Sequence, residues 1–303
     1  MDSFNDTLSI HPDARVGTVR LTVRDAGRMK DYYTAALGLA VSEDAPDGSS
    51  LAAHPGSLPL FRLFVNTDAM ARNYPAVGLF HTAVLFPSRN ALASALRRVI
   101  AMRVPIDGFA DHGVSEAVYL TDPEGNGLEL YCDKPISEWQ RKGDTVEMFT
   151  EPLDVEALLE SAGEYDPLAG PDSGARIGHI HLSVSSLKRS EEFYQGLLGF
   201  GVTQRTYPGA LFLAAGGYHH HIGLNVWRSR NAPPLAPGAV GLQSFSVTIP
   251  DADSFDRMRR RLAYAGGIRF SGGETRDEET IFLHDPDGIG VELVRIAPKE
   301  IGS

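Results

Sequence analysis

The sequence predicts an α+β fold assembled from four copies of one βαβββ unit, and three observations predict it. Compared with itself at an offset of roughly 160 residues, the chain matches at several points. Val16-Gly17 through Val23 resembles Ile177-Gly178 through Val184, Val77-Gly78-Leu79 resembles Val240-Gly241-Leu242, and Leu120-Thr121-Asp122-Pro123-Glu124-Gly125 resembles Leu283-His284-Asp285-Pro286-Asp287-Gly288. Each half divides again, because all four segments open on a strand of alternating polarity, continue into an amphipathic helix and end in further strands.

The first segment, about residues 15–72, has a helix opened by Asp25, with Met29, Tyr33 and Leu37 on its apolar face and Gly38 at its end. In the second, about 76–134, the helix buries Leu92, Leu96, Val99 and Ile100. Residues 135–174 break the pattern: their Pro, Gly and acidic content reads as a linker, with a short helical run near Val155 to Ser161. The third segment, about 175–232, has Ser186 as helix cap, an apolar face of Phe193, Tyr194, Leu197 and Leu198, and Gly199 in a left-handed turn. The fourth, about 238–298, repeats the helix with Phe255, Met258 and Leu262. Residues 1–134 thus hold two modules and 175–298 two more.

Composition narrows the partners. A chain of 303 residues with 43% hydrophobic content has ample core for one large or two ordinary domains. A formal charge of -11 without a basic run argues against nucleic acid or an anionic membrane. The start, residues 1–6, has neither a basic nor an apolar targeting region, and no stretch approaches 18 consecutive apolar residues, so a cytoplasmic place is expected. A single cysteine, Cys132, excludes an intrachain disulfide and leaves any metal to His and carboxylate. A homo-oligomer stays open.

The fourfold βαβββ pattern resembles the vicinal oxygen chelate superfamily over nearly the whole chain. The resemblance implies that modules pair so that two curled sheets form barrels around a metal cavity. The superfamily includes glyoxalases, fosfomycin-resistance enzymes, bleomycin-binding proteins and extradiol catechol dioxygenases, so the fold alone does not choose among them.

Strand alternation sorts the side chains, since a curled sheet shows one face to helices and the other to the cavity. Ile180, Leu182 and Val184 form the helix side, so His179, His181 and Ser183 face the cavity. Phe80, Val84 and Phe86 are read as helix-facing and His81 as cavity-facing; Leu128 and Leu130 place Glu129 inward. Val118 and Leu120 do the same for Tyr119. In the run His219-His220-His221, the apolar Ile222, Leu224 and Val226 imply that His219 and His221 point inward and His220 away.

Two histidines and one carboxylate, His81, His179 and Glu129, are the ligand set of an open-sided non-haem Fe(II) site, with Mn(II) the other ion that such ligands suit. They meet only if the second module pairs with the third, which leaves the first and fourth to form a metal-free barrel. Thr18 and Ser244 stand where those modules would need histidines, and Glu292 reads as a relic of duplication. The acidic runs at Asp122 and Asp285 read as turns, because Pro and Gly have backbone reasons to be there.

A facial triad leaves adjacent positions for a catecholate and dioxygen. By resemblance to extradiol dioxygenases, His221 is expected to act as acid/base near dioxygen, Tyr119 to hydrogen-bond a substrate oxygen and His112 to contact a hydroxyl of the ring. The expected function is extradiol cleavage of an aromatic diol, catechol or a substituted catechol, by O2 to a muconic semialdehyde, as in catabolism of aromatic compounds. The alternatives are a glyoxalase-like isomerase or lyase, with His221 as a fourth ligand, and a metal-free protein that sequesters small molecules.

Overall fold

A computed structural model describes residues 9–71, 76–143, 145–163, 174–236, 238–265, 269–270 and 280–296. The readings on residues 1–6 and on 164–173 of the linker lie outside these.

The first module contains β1 (Arg15–Val23), α1 (Ala26–Leu37), β2 (Ala40–Ala45), β3 (Gly48–Ala52) and β4 (Pro59–Val65). The second contains β5 (Gly78–Phe86), α2 (Arg89–Ala101), β6 (Gly108–Asp111), β7 (Ser115–Thr121) and β8 (Gly127–Asp133). The connecting segment forms β9 (Arg141–Lys142), β10 (Thr145–Val146) and α3 (Val155–Glu160). The third module has β11 (Arg176–Ser183), α4 (Leu187–Glu191), β12 (Gly201–Gln204), β13 (Ala210–Ala214) and β14 (Ile222–Asn225). The fourth has β15 (Gly241–Ile249), α5 (Ala252–Tyr264), β16 (Arg269–Phe270), β17 (Thr280–His284) and β18 (Gly290–Arg295).

The helices follow their local signals. The Asp25 carboxylate accepts from the Arg28 amide at 2.9 Å, and Gly38 ends α1 at φ 72°, where a Cβ would be penalised. Met29, Tyr33 and Leu37 are buried. In α2, Leu92, Leu96 and Val99 are buried but Ile100 is 49% exposed, against expectation. At 100° per residue Ile100 stands about 80° round the helix from Leu92, past the edge of the apolar stripe. The third helix also departs from the simple reading: after Glu191 it loosens into a π-helical stretch, Glu192–Leu197, which still buries Phe193 and Tyr194 before Gly199 turns at φ 84°. The two acidic runs are turns. Asp122 accepts from the amides of Glu124 and Asn126 and from the Tyr33 hydroxyl, and Asp285 likewise from Asp287, Ile289 and Tyr194.

Two eight-stranded sheets result, one ordered β16-β17-β18-β15-β1-β4-β3-β2 and the other β12-β13-β14-β11-β5-β8-β7-β6. The first joins modules one and four; the second joins two and three. At each centre the opening strands of two modules run antiparallel, β1 with β15 and β5 with β11, and each is flanked by its own module's closing strand in parallel. One apolar core contains residues of all four modules.

The β5–β11 ladder is bulged twice. His181 faces His81 and Leu182 faces Leu79, which leaves Phe80 as the extra residue; Ile177 faces Val84 and His179 faces Ala83, which leaves Gly178. The first bulge corrects the reading of Phe80: it turns away from the helices, is 42% exposed, and lines the cavity. The second fits only glycine, since a Cβ at 178 would lie 1.8 Å from the Tyr131 hydroxyl.

Candidate metal centre

β5, β8 and β11 lie side by side, and from them His81, Glu129 and His179 converge. Their donor atoms are 3.0 Å (His81 Nε2 to Glu129 Oε2), 3.2 Å (His179 Nε2 to the same oxygen) and 3.3 Å (the two Nε2 atoms) apart. All three residues are buried, and among the described residues they are the one such group of His, Cys, Asp or Glu that could hold a metal ion. Donors at right angles about one ion, with bonds of about 2.0–2.2 Å, stand about 2.8–3.1 Å apart, and tetrahedral donors about 3.3–3.6 Å apart. The spacing of 3.0–3.3 Å therefore fits three ligands of a single ion.

Charge is distributed to match. Burial pushes the Glu129 carboxyl up, but His179 and His81 beside it outweigh that and hold it well below the usual carboxylate range. Burial lowers His179 to about 4 against the opposing pull of Glu129, so its ring is neutral and has a lone pair to offer at neutral pH. His181, next but one on the same strand, is held well below the usual imidazole range by burial and by His81 and His179.

The triad is in the wall of a cavity of about 690 Å³. Phe80, Phe212 and Trp227 give it an aromatic side, and Met148 to Thr150 of the linker form part of its border. Tyr119, from the central strand of module two, points into it. Burial first and Glu129 second raise its hydroxyl well above the usual range, so it remains a proton donor. His112, in the β6–β7 hairpin, also reaches the cavity, but both ring nitrogens are engaged: Nδ1 is 2.7 Å from the Phe149 carbonyl and Nε2 is 2.6 Å from the Tyr119 hydroxyl. A carbonyl only accepts, so Nδ1 carries the proton of the neutral ring and Nε2 accepts from Tyr119.

The histidine run is where the sequence reading needs correction. His221 does not line this cavity; it borders a separate one of about 140 Å³ with Arg15, Arg176, Gly178 and Tyr218, and its Nδ1 accepts from the Ala215 amide at 3.1 Å. The histidine at the main cavity is His220, its ring centroid 4.1 Å from that of His179. Strand alternation does not extend to residues that precede the strand. β14 begins at Ile222, so His220 obeys the turn that starts with Gly216 and Gly217 at φ 60° and 76°. The glycine pair was the available signal. His219 is fully buried behind His220 and bonds Asp133.

In the other sheet, Thr18, Ser244 and Glu292 occupy the three corresponding places. Arg20, which pairs with Ser244 as His181 pairs with His81, reaches Glu292 at 2.5 Å, and the Ser244 hydroxyl donates to the same carboxylate. A side-chain cation thus faces Glu292, the counterpart of Glu129.

Similarity to known proteins agrees with this architecture. A model of the Glyoxalase/Bleomycin resistance protein/Dioxygenase superfamily matches the chain twice, over residues 15–130 and 176–293. In sequence the chain is 43% identical over 263 residues to the catechol-2,3-dioxygenase of Bacillus subtilis (strain 168), covering 85% of this chain and 90% of that one. Among solved structures, one from Bacillus subtilis subsp. subtilis str. 168 superposes with a TM-score of 0.63 at 16% identity, covering 96% and 87% of the two chains. Glyoxalase I from Zea mays does so with 0.56 at 18%, covering 93% and 92%. At those identities the two structures speak for the fold alone.

Proposed function

The chain belongs to the Glyoxalase/Bleomycin resistance protein/Dioxygenase superfamily, and from that premise we propose that it is an Fe(II)-dependent extradiol dioxygenase of the catechol 2,3-dioxygenase type. The substrate is catechol or a substituted catechol, the co-substrate O2 and the product a muconic semialdehyde. The observation that carries this reading is the convergence of His81, His179 and Glu129 beside an aromatic-walled cavity; the 43% identity to a catechol-2,3-dioxygenase supports it.

His81, His179 and Glu129 would hold the ion, which when bound supplies adjacent sites and one-electron chemistry for the diol and O2. The remaining roles fall to side chains. Phe80 and Trp227, with ring centroids 5.3 Å apart, wall one side and orient a flat ring while excluding water. The Tyr119 hydroxyl, whose one proton is held by His112 Nε2, accepts a hydrogen bond from a hydroxyl of the bound molecule, and His112 positions it. His220, rather than His221, holds or moves a proton at its cavity-facing ring nitrogen. A glyoxalase-like centre would need a fourth protein ligand, and the metal-capable group among the described residues stops at three.

No helix among the described residues is long and apolar enough to cross a membrane. The same reading makes the protein a cytoplasmic catabolic enzyme with Mn(II) as the other ion to test, with no nucleic-acid or membrane partner and with a homo-oligomer left open.

The test is anaerobic reconstitution with Fe(II), then addition of catechol and O2 while absorbance is followed for a yellow semialdehyde. Oxygen-dependent colour that disappears in His179→Ala and Glu129→Ala is the expected result. One equivalent of bound metal with no colour across several catechols would overturn it in favour of an isomerase.

A further inference from the structure

Behind the metal centre a hydrogen-bonded line runs outward from His220. His220 Nδ1 lies 2.8 Å from His219 Nδ1, and His219 Nε2 lies 2.9 Å from Asp133 Oδ1. Asp133 is at the end of β8, four residues beyond Glu129, and its carboxylate also accepts from the Tyr218 hydroxyl at 2.9 and 3.1 Å. His219 is fully buried and packed between the rings of Tyr218, at 4.0 Å, and His220, at 4.7 Å. Nothing in the reaction as read above uses Asp133 or His219.

The chemistry of the three groups allows one arrangement of protons when both rings are neutral. An ionised carboxylate only accepts, so His219 Nε2 carries the proton of that ring. His219 Nδ1 is then a bare lone pair. The contact at 2.8 Å joins two nitrogens and needs one proton, which His220 Nδ1 must supply. The remaining nitrogen, His220 Nε2, is left bare and has no hydrogen-bond partner among the described residues, while His220 itself lines the cavity.

We propose that Asp133 and His219 are positioning residues that fix the tautomer and ring orientation of His220, so that its Nε2 faces the cavity as an acceptor. In the resting enzyme His220 then receives a hydrogen bond, or a proton, from a bound hydroxyl and does not donate one. This rests on ring cleavage as the reaction served, but the tautomer itself does not. The arrangement follows the logic of a carboxylate that orients a catalytic imidazole through its far nitrogen, here through one additional ring.

The test is a long-range ¹H–¹⁵N correlation spectrum of the full chain, labelled with ¹⁵N-histidine and loaded with diamagnetic Zn(II), at pH 8, above the ordinary imidazole range. Signals are assigned by their loss in His219→Phe and His220→Gln. The expected pattern is a protonated Nδ1 and bare Nε2 at His220, with the reverse at His219. His220 with its proton on Nε2, or a doubly protonated His219, would overturn the proposal. In His219→Phe the acceptor for His220 Nδ1 is gone, so His220 shifts to a majority of the Nε2–H form that free imidazole side chains prefer; retention of the wild-type tautomer there also overturns it. Asp133→Asn offers a donor as well as an acceptor and gives both tautomers at His219 and His220, whereas an unmixed wild-type pattern shows that the carboxylate is not what fixes the line. Because the spectrum needs no substrate, iron or turnover, a failed tautomer assignment and failed ring cleavage are separate results.

Discussion

Gly178 gives the sharpest test of how the fold positions the proposed metal ligands. A methyl group placed there would meet the Tyr131 hydroxyl oxygen at 1.8 Å, the carbon bearing it at 2.7 Å and Leu85 Cβ at 2.9 Å. To restore ordinary contact at 3.4 Å, the end of Tyr131 must retreat by about 1.6 Å. Tyr131 is fully buried, is bonded to Tyr218 at 2.9 Å, and its ring centroid is 4.9 Å from that of His179. Overpacking of this kind costs about 1–3 kcal/mol and a lost neutral hydrogen bond about 1 kcal/mol, so Gly178→Ala is expected to cost about 2–4 kcal/mol. For a chain of 303 residues, at about 1.6 °C per kcal/mol, the thermal midpoint of the metal-free protein falls by roughly 3–6 °C. Because the displaced ring supports His179, metal affinity falls about 10–100-fold, as for other changes behind a ligand.

Gly17→Ala is the internal control at the corresponding place in the other sheet. There the nearest atom is the Ser246 hydroxyl oxygen at 2.6 Å, the end of a short side chain that can rotate away. It is expected to cost less than about 1 kcal/mol and to leave metal affinity unchanged. Thermal unfolding and competition with a chromophoric chelator measure both quantities. If Gly178→Ala unfolds within a degree of the parent and binds metal equally well, the bulge is not what sets His179 in place.

The histidine run is separated by kinetics: His220→Gln is expected to lose about 10²–10⁴-fold in kcat and His221→Gln to stay within threefold, and equal losses would reject the assignment of the cavity histidine. In the second sheet, Arg20→Met leaves the buried Glu292 carboxylate without its cation and costs about 2–3 kcal/mol by urea denaturation, discounted because the Arg20 side chain is 21% exposed. The double change Arg20→Met with Glu292→Met recovers most of that loss, and turnover is unaffected in both. Burial, opposed by backbone amides, raises Asp285 from the usual 3.8 to about 6. The folded state thus binds more protons than the unfolded one between pH 4 and 6, and stability from this group falls as pH rises through that window, by at most about 3 kcal/mol. Asp285→Asn removes that component, seen as a flatter difference in unfolding free energy between pH 4 and 6.

The repeat made the main features legible. Glycines, closing turns and helix stripes recur at corresponding places, and alternation places His81, His179 and Glu129 on one face even though a bulge precedes each histidine. The two misplacements have one cause. Alternation holds only while one residue opposes one residue, and Phe80 is the extra residue of a bulge whereas His220 precedes its strand. A bulge is created by the partner strand, here β11 against β5, so no local pattern around Phe80 announces it. The Tyr119–His112 pair was half visible, since alternation placed Tyr119, but the contact to the Phe149 carbonyl depends on a linker whose path the sequence does not specify.

The two sheets pose the same electrostatic problem and solve it differently. Each carries a buried carboxylate on a closing strand, Glu129 or Glu292, and a charge so placed is costly unless a cation faces it. The sheet of modules one and four carries its cation in the chain, Arg20, on β1. The sheet of modules two and three offers only imidazoles, and on the reading proposed above a bound ion would complete the compensation of Glu129. Two of its proposed ligands belong to the first half of the sequence and one to the second, so that ion would also tie the halves together across the β5–β11 ladder. Metal at 100 times its Kd should then add about 2.7 kcal/mol to global stability. Local openings should respond unequally: hydrogen exchange is expected to slow first in β5, β8 and β11, with β1, β15 and β18 unchanged until global unfolding dominates. Equal slowing in the two central ladders would show that the arginine barrel also depends on the ion, and the division of labour between the sheets would fall.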